Sequence, residues 1–305
     1  MKTVAETNYS RNKIKQGSKV IDVIFIAIAT FLCFITLYPM YYVLIMSISD
    51  PIEVATMNVH FYPKGVILDS YKVIFRDAKM WLAYVNTIIY VVSGTFLCCL
   101  TSVLAAYPLT SKNLFFRKWI VRYLIIPMYF GGGLIPTFLL MNRLGLYNNR
   151  WAIIIPSAVS IWYIILTRTY FMSIPSSLKE SAFIDGANNF HILFQIYVPT
   201  SKPILAVIAI YSLVGIWNSW FNAMIYLPNE ALHPLQMYLQ RVLVQQSVDL
   251  TKLPMDDVEA AIALMLSNTQ LKYAIIIFTV LPIIFTYPLF QKYFIKGTML
   301  GSLKE

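Results

Sequence analysis

The chain has 305 residues, of which 58% are hydrophobic and only 12% are charged. A soluble domain carries roughly 25% charged residues, so this composition excludes a soluble globular protein and predicts an integral membrane protein. The formal net charge of +10 would suit a nucleic-acid-binding surface, but such a surface needs a soluble domain to display it. We therefore expect no nucleic-acid partner.

Six stretches without Lys, Arg, Asp or Glu follow one another along the chain. A helix needs roughly 20 apolar residues to cross a bilayer, so these stretches predict six transmembrane helices and an all-α fold. The first stretch is longer than the about 7–15 apolar residues of a signal peptide and is predicted to be a retained span. The stretches cover residues 23–49, 80–111, 123–142, 152–167, 204–228 and 273–291.

The charged residues are divided unevenly between the segments that connect these spans. If the N-terminus is cytoplasmic, the inner segments hold 15 Lys and Arg against 5 Asp and Glu, and the outer segments hold nine of each. Because Lys and Arg near span ends stay in the cytoplasm, both termini are predicted to be cytoplasmic. The predicted organisation is a basic tail at 1–22, a six-helix domain at 23–291 with an inner loop at 173–203 and an outer loop at 229–272, and a C-terminal tail at 292–305.

The third predicted span contains two prolines and three consecutive glycines at 131–133. Helix breaks persist in membranes where protein or a water-filled cavity satisfies the freed backbone groups. A pore-lining helix is one interpretation, and close helix–helix contact through small residues is the other. The sequence leaves both open.

Several kinds of chemistry are absent from the sequence. No predicted span carries an ionisable residue near its centre, whereas ion-coupled and voltage-driven transporters usually keep such residues there. The three histidines are scattered over loops, and the three cysteines fall within predicted spans, where they act as small apolar packing residues. No metal site is therefore predicted. Since no G-x-x-x-x-G-K-[ST] phosphate-binding loop occurs, the energy for uphill transport would have to come from another chain.

The inner loop between the fourth and fifth spans is unusually long and contains "ESAFIDGANNFHILFQIYVP" at 180–199. The S-x-x-E pattern of Ser177 and Glu180 fits a capping box and predicts a helix over 178–187. Glycine at 186 permits a sharp turn, and a second helix over 190–198 would present Phe190, Phe194 and Tyr197. Exposed aromatic side chains need cover. A protein partner would supply it, and so would an amphipathic elbow lying in the lipid headgroups.

The spacing within this loop resembles the EAA loop of ABC-importer permeases, in which E-A-A, three residues, G, nine residues and I-x-L-P follow one another. Here Glu180-Ser181-Ala182 precedes Gly186, and the segment 196–199 closes the pattern, with serine and valine as mild departures. Asp185-Gly186-Ala187 and "WNSWF" at 217–221 are similar to the carbohydrate-uptake branch of that family. "GGGLIP" at 131–136 is similar to its oligosaccharide permeases, which are related to the second permease of the maltose transporter.

This resemblance implies a type I ABC-importer permease fold in the bacterial cell membrane and a transport subunit that is not itself an enzyme. It also implies a second homologous permease, two cytoplasmic ATPase subunits, an extracytoplasmic solute-binding protein and a sugar substrate, with an oligosaccharide favoured. ATP and Mg would be held by the ATPase, so no cofactor is expected on this chain. We call 173–203 the coupling loop. The residues that the resemblance implies for ATPase coupling are Glu180, Ser181, Ala182, Asp185, Gly186, Ala187, Phe190, Phe194 and Pro199.

The fifth predicted span ends in residues that suit sugar binding. Trp217, Asn218, Trp220 and Asn222 offer aromatic faces and planar amides, which are predicted to line the substrate pathway, although tryptophan is also a common membrane anchor. Two alternatives to a sugar permease remain. One is an ABC permease for another solute such as a peptide, and the other is an autonomous facilitator or channel gated by the glycines of the third span.

Overall fold

The computed structural model describes residues 19–245 and 258–301, and every regular element in these two ranges is helical. The first half of the chain forms α1 (Lys19–Ile48), α2 (Pro51–Ala55), α3 (Asp69–Arg76), α4 (Ala78–Thr110), α5 (Arg117–Tyr129), α6 (Leu134–Arg143), α7 (Trp151–Ala158) and α8 (Ile161–Phe171). The second half forms α9 (Ser176–Ile184), α10 (Asn189–Ile192), a π-helical turn (Leu193–Tyr197), α11 (Val198–Thr200), α12 (Lys202–Trp217), α13 (Phe221–Tyr226), a 3₁₀ turn (Glu230–Leu232), α14 (Leu235–Gln245) and α15 (Val258–Gly301).

Four helical segments are long and apolar enough to cross a membrane: Ile21–Ile48, Ala78–Thr110, Trp151–Phe171 and Asn268–Gln291. Two further pairs of helices meet this criterion only when joined across a sharp bend. α5 and α6 meet at 113°, and the segment Asn189–Thr200 meets α12 at 80°. The all-helical prediction is confirmed for the described residues, and the number of possible spans lies between four and six.

The helix α4 runs through the middle of the bundle and contacts α7, α8 and α12 along its length. Its Gly94 lies where a Cβ atom would come within 2.6 Å of Ile216 Cδ1 and 2.8 Å of Ser157 Oγ. Such distances are too short for carbon and oxygen atoms, so a larger residue here would require the ends of these two side chains to shift.

The buried side chains form two large clusters along α4. The larger cluster joins α4, α7, α12 and α15 and includes Tyr90, Ile154 and Trp217. The second lies at the end of the bundle where the coupling loop lies, which we call the loop end, and includes Tyr107 and Tyr197. The opposite end, which we call the far end, holds the segments 49–77 and 227–235. α4 therefore connects the coupling loop to the main core.

Polar side chains fasten the chain segments at the far end. Gln270 of α15 is buried, and its Nε2 donates to the carbonyl oxygens of Ser49 at 2.8 Å and Ile67 at 3.1 Å, while its Oε1 accepts from Ser70 Oγ at 2.8 Å. These hydrogen bonds satisfy backbone carbonyl groups that have no partner within a helix. One side chain thus ties α15 to the segment that follows α1.

The segment 227–235 is fastened to α4 in a similar way. Asn86 Nδ2 donates to the carbonyl oxygen of Ala231 at 2.7 Å, and the Tyr90 hydroxyl donates to that of Leu232 at 2.7 Å. Arg150 in turn donates to Asn86 Oδ1 at 2.9 Å, which fixes the orientation of the amide. The first part of the predicted outer loop is therefore held on the core, while residues 246–257 of that loop lie outside the described residues.

Several helix interruptions lie within the predicted spans. The third stretch is broken at 130–133, where Gly133 adopts a φ of +83°. The fourth stretch, predicted as one span, divides into α7 and α8 at Val159 and Ser160, whose backbones are both extended. The sixth stretch extends beyond both of its predicted limits in α15.

Candidate functional site

The coupling loop folds as a helix, a tight turn and a second short helix. α9 ends in a Schellman arrangement, in which Gly186 N donates to Phe183 O at 3.1 Å and Ala187 N donates to Ala182 O at 2.9 Å. Gly186 has a φ of +81°, in the left-handed region that glycine adopts at little cost. The next helix is capped by Asn188, whose Oδ1 accepts from His191 N at 2.8 Å. The turn predicted at Gly186 therefore has a defined geometry.

The start of α9 differs from the prediction. The helix begins at Ser176 directly after Pro175, and no side chain caps it with a hydrogen bond. The predicted capping box of Ser177 and Glu180 is therefore wrong. Proline already presets the backbone that leads into a helix, and the Ser177 position falls inside the first turn instead of before it.

Most of the side chains predicted for ATPase coupling point away from the bundle. Ala182 is buried against the second cluster and Ala187 is half-buried, so these two form the underside of the loop. The exposed set is Glu180, Ser181, Asp185, Gly186, Phe190, Phe194 and Pro199. The sequence reasoning missed Ile184, which is 87% exposed beside the turn. The feature of the sequence that could have indicated this residue is a large apolar side chain directly before the Asp-Gly turn.

An open depression of about 470 Å³ lies beside the turn of the coupling loop. Its rim is formed by Asp185 and Gly186 on one side and by His191 and Gln195 on the other. The exposed side chains of Ile184 and Phe190 belong to the same turn and the helix that follows it. The loop thus presents a concave surface that combines a carboxylate, polar side chains and apolar groups.

The second helix of the loop is anchored to the bundle by aromatic contacts. Tyr197 packs edge-on against Tyr107 at 5.1 Å and against Phe171 at 5.2 Å between ring centroids. The prediction that Tyr197 is presented to a partner is therefore wrong, because only 4% of it is exposed. The π-helical turn widens the helical repeat here and so changes which residues share a face with Phe190 and Phe194. The Tyr107 hydroxyl also bonds Asn189 Oδ1 at 3.2 Å.

Charge is arranged differently at the two ends of the bundle. Among the described residues, all four ion pairs lie at the far end, and Glu230 pairs with Arg241 at 2.8 Å. The hydrogen bond and charge of Arg241 lower the pKa of the Glu230 carboxyl below its usual range. Glu180 and Asp185 at the loop end form no ion pair with any described residue. Within 19–245 and 258–301, no group of three His, Cys, Asp or Glu side chains could hold a metal ion.

The four residues predicted for the substrate pathway are placed in different surroundings. Trp217 is only 5% exposed in the main core, and its Nε1 donates to Thr279 O at 3.3 Å. Asn218 and Asn222 are exposed, and Trp220 is partly exposed, at the break between α12 and α13. Asn222 also lines a cavity of about 240 Å³ between α7, α8 and α12, which the sequence reasoning missed because its walls come from distant segments.

Comparison with known proteins decides the family. Residues 98–299, which include α8, the whole coupling loop and α12, match the family described as "binding-protein-dependent transport system inner membrane component". The chain belongs to this family. The resemblance to ABC-importer permeases, inferred from the spacing between Glu180, Gly186 and Pro199, is confirmed.

Individual relatives extend the match over nearly the whole chain. Protein LplC of Bacillus subtilis is 34% identical over 88% of this chain and 90% of the relative. The polygalacturonan/rhamnogalacturonan transport system permease protein YtcP of the same species is 31% identical over 94% of this chain and 99% of the relative. A chain from the crystal structure of a bacterial ABC transporter involved in the import of the acidic polysaccharide alginate is 33% identical, with a TM-score of 0.83 over 92% of this chain and 98% of that chain. The fold is that of ABC-importer permeases.

Proposed function

We propose that this chain is a membrane subunit of an ATP-driven importer of oligosaccharides and that its coupling loop docks on a cytoplasmic ATPase. One observation carries the docking role. A helix–turn–helix whose turn is fixed by Gly186 presents Glu180, Asp185 and several apolar side chains outward, in a chain of the permease family.

The chemistry of the loop indicates the kind of surface that would cover it. Ile184 and Phe190 are 87% and 69% exposed, and apolar groups of this size at the centre of an interface contribute much of its affinity. Glu180 and Asp185 form no ion pair within the described residues, so they are available to basic groups of a partner. Complementary charge mainly sets orientation and partner choice. The proposed ATPase therefore has an apolar cleft with a basic rim, and ATP and Mg are bound on that partner.

The proposal includes the orientation of the chain in the membrane and the number of its spans. The loop end faces the cytoplasm, because the segment 111–122 beside it carries four basic residues and no acidic residue, as expected for a cytoplasmic connection. Each bent helix pair counts as one span, which gives six spans. Both termini then lie inside, although residues 1–18 and 302–305 are outside the described residues.

The substrate class follows from the relatives. YtcP is named as a polygalacturonan/rhamnogalacturonan permease, and the alginate importer takes an acidic polysaccharide, so fragments of such polymers are the first candidates here. Because the family is binding-protein-dependent, an extracytoplasmic binding protein would deliver the sugar, and a second homologous permease would complete the pathway. We assign Asn218, Trp220 and Asn222 to that pathway, with Trp217 supporting them from the core.

Reconstitution in proteoliposomes tests this function. The chain is purified with its second permease, ATPase and binding protein from the native membrane, and uptake of a galacturonate trimer, an alginate trimer, maltotriose and a tripeptide is measured with and without ATP. We expect ATP-dependent uptake of at least one oligosaccharide and none of the tripeptide. Uptake of the tripeptide alone would make the chain a permease for another solute. Flux through this chain without partners or ATP would make it an autonomous facilitator.

A further inference from the structure

A cavity of about 470 Å³ lies between the end of α4 and the coupling loop, and its lining changes in chemistry from one part to the other. One part is apolar and includes Leu104 and Pro108 of α4. The other part is polar and includes Ser111, Asn113 and Lys179. The cavity shares no lining residue with the depression beside the turn of the coupling loop, so the two concave surfaces of the loop are distinct.

The apolar part of the cavity continues an apolar surface of α4. Between residues 85 and 108, every exposed residue of this helix is apolar, and a continuous exposed apolar surface is typical of a region that contacts a membrane or another protein. These residues are Val85, Ile88, Val92, Phe96, Leu104 and Pro108. The apolar surface therefore leads into the cavity, where it meets the polar groups that begin at Ser111.

Lys179 is held where its ammonium group can reach the cavity. Its Nζ lies over the ring of Tyr107 at 5.5 Å and over that of Phe183 at 5.6 Å, and the faces of aromatic rings attract a cation. Lys179 forms no ion pair or hydrogen bond with any residue that the structure describes. The three N–H donors of the ammonium group are therefore available to an acceptor inside the cavity.

An adjoining cavity of about 490 Å³ adds positive charge. It shares Lys179 with the first cavity and is also lined by Lys112 and Arg117. Arg117 is oriented by a hydrogen bond of 3.4 Å from its Nη1 to the carbonyl oxygen of Ser111. Among the described residues that line the two cavities, Glu180 supplies the one carboxylate, against three cations. The combined lining is therefore complementary to an anion.

The segment between α4 and α5 and the first turn of α5 carry side chains that suit a membrane boundary. Phe115, Phe116 and Trp119 are all exposed. The Arg122 guanidinium lies 5.1 Å from the centroid of the Trp119 ring. Exposed aromatic rings beside basic side chains are typical of the layer of lipid headgroups, so the two cavities next to this segment lie at the depth of that layer.

We propose that the cavity between α4 and the coupling loop binds the headgroup of an anionic phospholipid from the cytoplasmic leaflet. Lys179 donates to the phosphate, Ser111 and Asn113 bond the polar remainder of the headgroup, and the acyl chains lie along the apolar surface of α4. Basic pockets on the cytoplasmic side of membrane proteins attract anionic lipids, and a hydrogen bond from an ammonium group to a phosphate is stronger than one between neutral groups. The inference rests on the proposed orientation of the loop end and goes beyond the proposed function, because it adds a lipid ligand that contacts both α4 and the coupling loop.

Photolabelling of the assembled transporter tests this site. The chain, its second permease and the ATPase are reconstituted in phosphatidylcholine nanodiscs that contain a small fraction of a lipid probe. The probe carries a diazirine near the start of one acyl chain and either a phosphatidylglycerol or a phosphatidylcholine headgroup, and labelled peptides are identified by mass spectrometry. We expect the phosphatidylglycerol probe to label residues 104–114 at least fivefold more than the phosphatidylcholine probe.

Three results would overturn the lipid site. The first is equal labelling of residues 104–114 by the two probes. The second is absence of labelling in the presence of the ATPase together with its appearance after the ATPase is removed, which would make the cavity part of the ATPase interface. The third is loss of labelling when soluble sn-glycerol 3-phosphate is added, which would make the cavity a site for a soluble phosphate.

Two matched pairs of variants separate the cavity from general surface charge and bulk. Lys179→Gln removes the cation of the cavity, whereas Lys118→Gln removes an exposed cation of α5 that lines neither cavity. Leu104→Trp fills the apolar part of the cavity, whereas Val92→Trp adds the same side chain to α4 away from it. We expect labelling by the phosphatidylglycerol probe to fall at least fivefold in the first variant of each pair and to stay within twofold in the second. Unchanged labelling in Lys179→Gln would overturn the site.

Failure of the lipid site and failure of the proposed function give different results. ATP-dependent oligosaccharide uptake combined with equal labelling by the two probes overturns the lipid site and leaves the importer function intact. Selective labelling by the phosphatidylglycerol probe in a complex that transports no oligosaccharide supports the lipid site and overturns the proposed function.

Discussion

Substitutions at Gly186 test the docking role of the coupling loop, because side chains of different length at this exposed turn would meet a partner differently. Its φ of +81° makes any side chain unfavourable, and a left-handed backbone costs a non-glycine residue about 1–2 kcal/mol. No atom lies within 4 Å of the position that a Cβ atom would take. A backbone cost therefore applies to every substitution and is smallest for asparagine, and the Cβ atom itself meets no neighbour in this chain.

We compare two substitutions at position 186, one by asparagine and one by tryptophan. Asparagine tolerates the left-handed region better than most residues and is short, whereas tryptophan projects into the space that the proposed ATPase occupies. A stability loss of about 1–2 kcal/mol leaves a protein of ordinary stability, about 5–15 kcal/mol, folded. Loss of a central interface contact costs about 2 kcal/mol or more, which corresponds to an affinity about 30-fold lower.

The assay measures three quantities in one reconstituted system: ATPase co-purification, ATP hydrolysis stimulated by the loaded binding protein, and sugar uptake. We expect Gly186→Asn to retain most of each. For Gly186→Trp we expect normal membrane insertion, weak ATPase retention and at least a tenfold loss of uptake. Transport by Gly186→Trp at the level of Gly186→Asn would refute the docking role of the turn.

Three further predictions concern the framework around the sites. Gln270→Leu leaves two carbonyl oxygens and a hydroxyl without their partner. Unfolding in detergent should therefore show a loss of stability of about 2–5 kcal/mol. The control is Gln236→Leu, which should lose little stability because the hydrogen bond of Gln236 to Asn218 is 3.4 Å long. Because the pKa of Glu230 is lowered in the folded state, its contribution to stability is complete above the usual carboxyl pKa of about 4.3 and is lost as the pH falls through the folded pKa. The protection of the amides in 230–241, taken relative to their intrinsic exchange rates at each pH, should therefore fall with acid, and Glu230→Gln should remove that dependence. Gly94→Ala would bring its Cβ within 2.6 and 2.8 Å of the ends of two side chains, whose displacement costs about 1 kcal/mol. Because both glycines lie within helices and gain the same helix propensity, Gly94→Ala should unfold at a lower temperature than Gly215→Ala, which meets no atom. Equal unfolding temperatures would contradict close packing around Gly94.

The features that local physics dictates could be predicted from the sequence. Long runs without charge formed helices because only paired backbone is tolerated among apolar side chains, and the turn at Gly186 formed where glycine alone adopts a positive φ at little cost. The spacing between Glu180, Gly186 and Pro199 was enough to indicate the family. These features depend on residues that are close together in the chain.

The features that were missed depend on how distant segments pack. Trp217 looked like a sugar-binding residue, but contact with Thr279 and Tyr84 places it in the core. The cavity beside Asn222 draws its walls from α7, α8, α12 and α13, and no local pattern brings those segments together. Tyr197 was misplaced because a π-helical turn shifts the faces of the second loop helix, and the sequence carries no clear signal for that turn.

The position of Tyr197 also predicts how movement of the coupling loop reaches the pathway. The loop continues into α12 after a bend of 80°, and α12 forms one wall of the cavity beside Asn222. Tyr197 lies at this bend between the rings of Tyr107 on α4 and Phe171 on α8. We therefore expect a displacement of the loop to reach α4, α8 and α12 through this one buried ring.

Removing that ring should separate ATP hydrolysis from transport. Replacing a buried aromatic residue by alanine costs about 3–5 kcal/mol, so Tyr197→Ala loosens the loop while the main core, which lies along another part of α4, stays packed. Tyr197→Phe keeps both ring contacts and serves as the control. We expect Tyr197→Ala to lower the number of sugars transported per ATP hydrolysed at least fivefold and Tyr197→Phe to stay within twofold of the unmodified chain. An unchanged ratio in Tyr197→Ala would show that movement passes through the backbone of α12 alone, and that the aromatic contacts only support the fold.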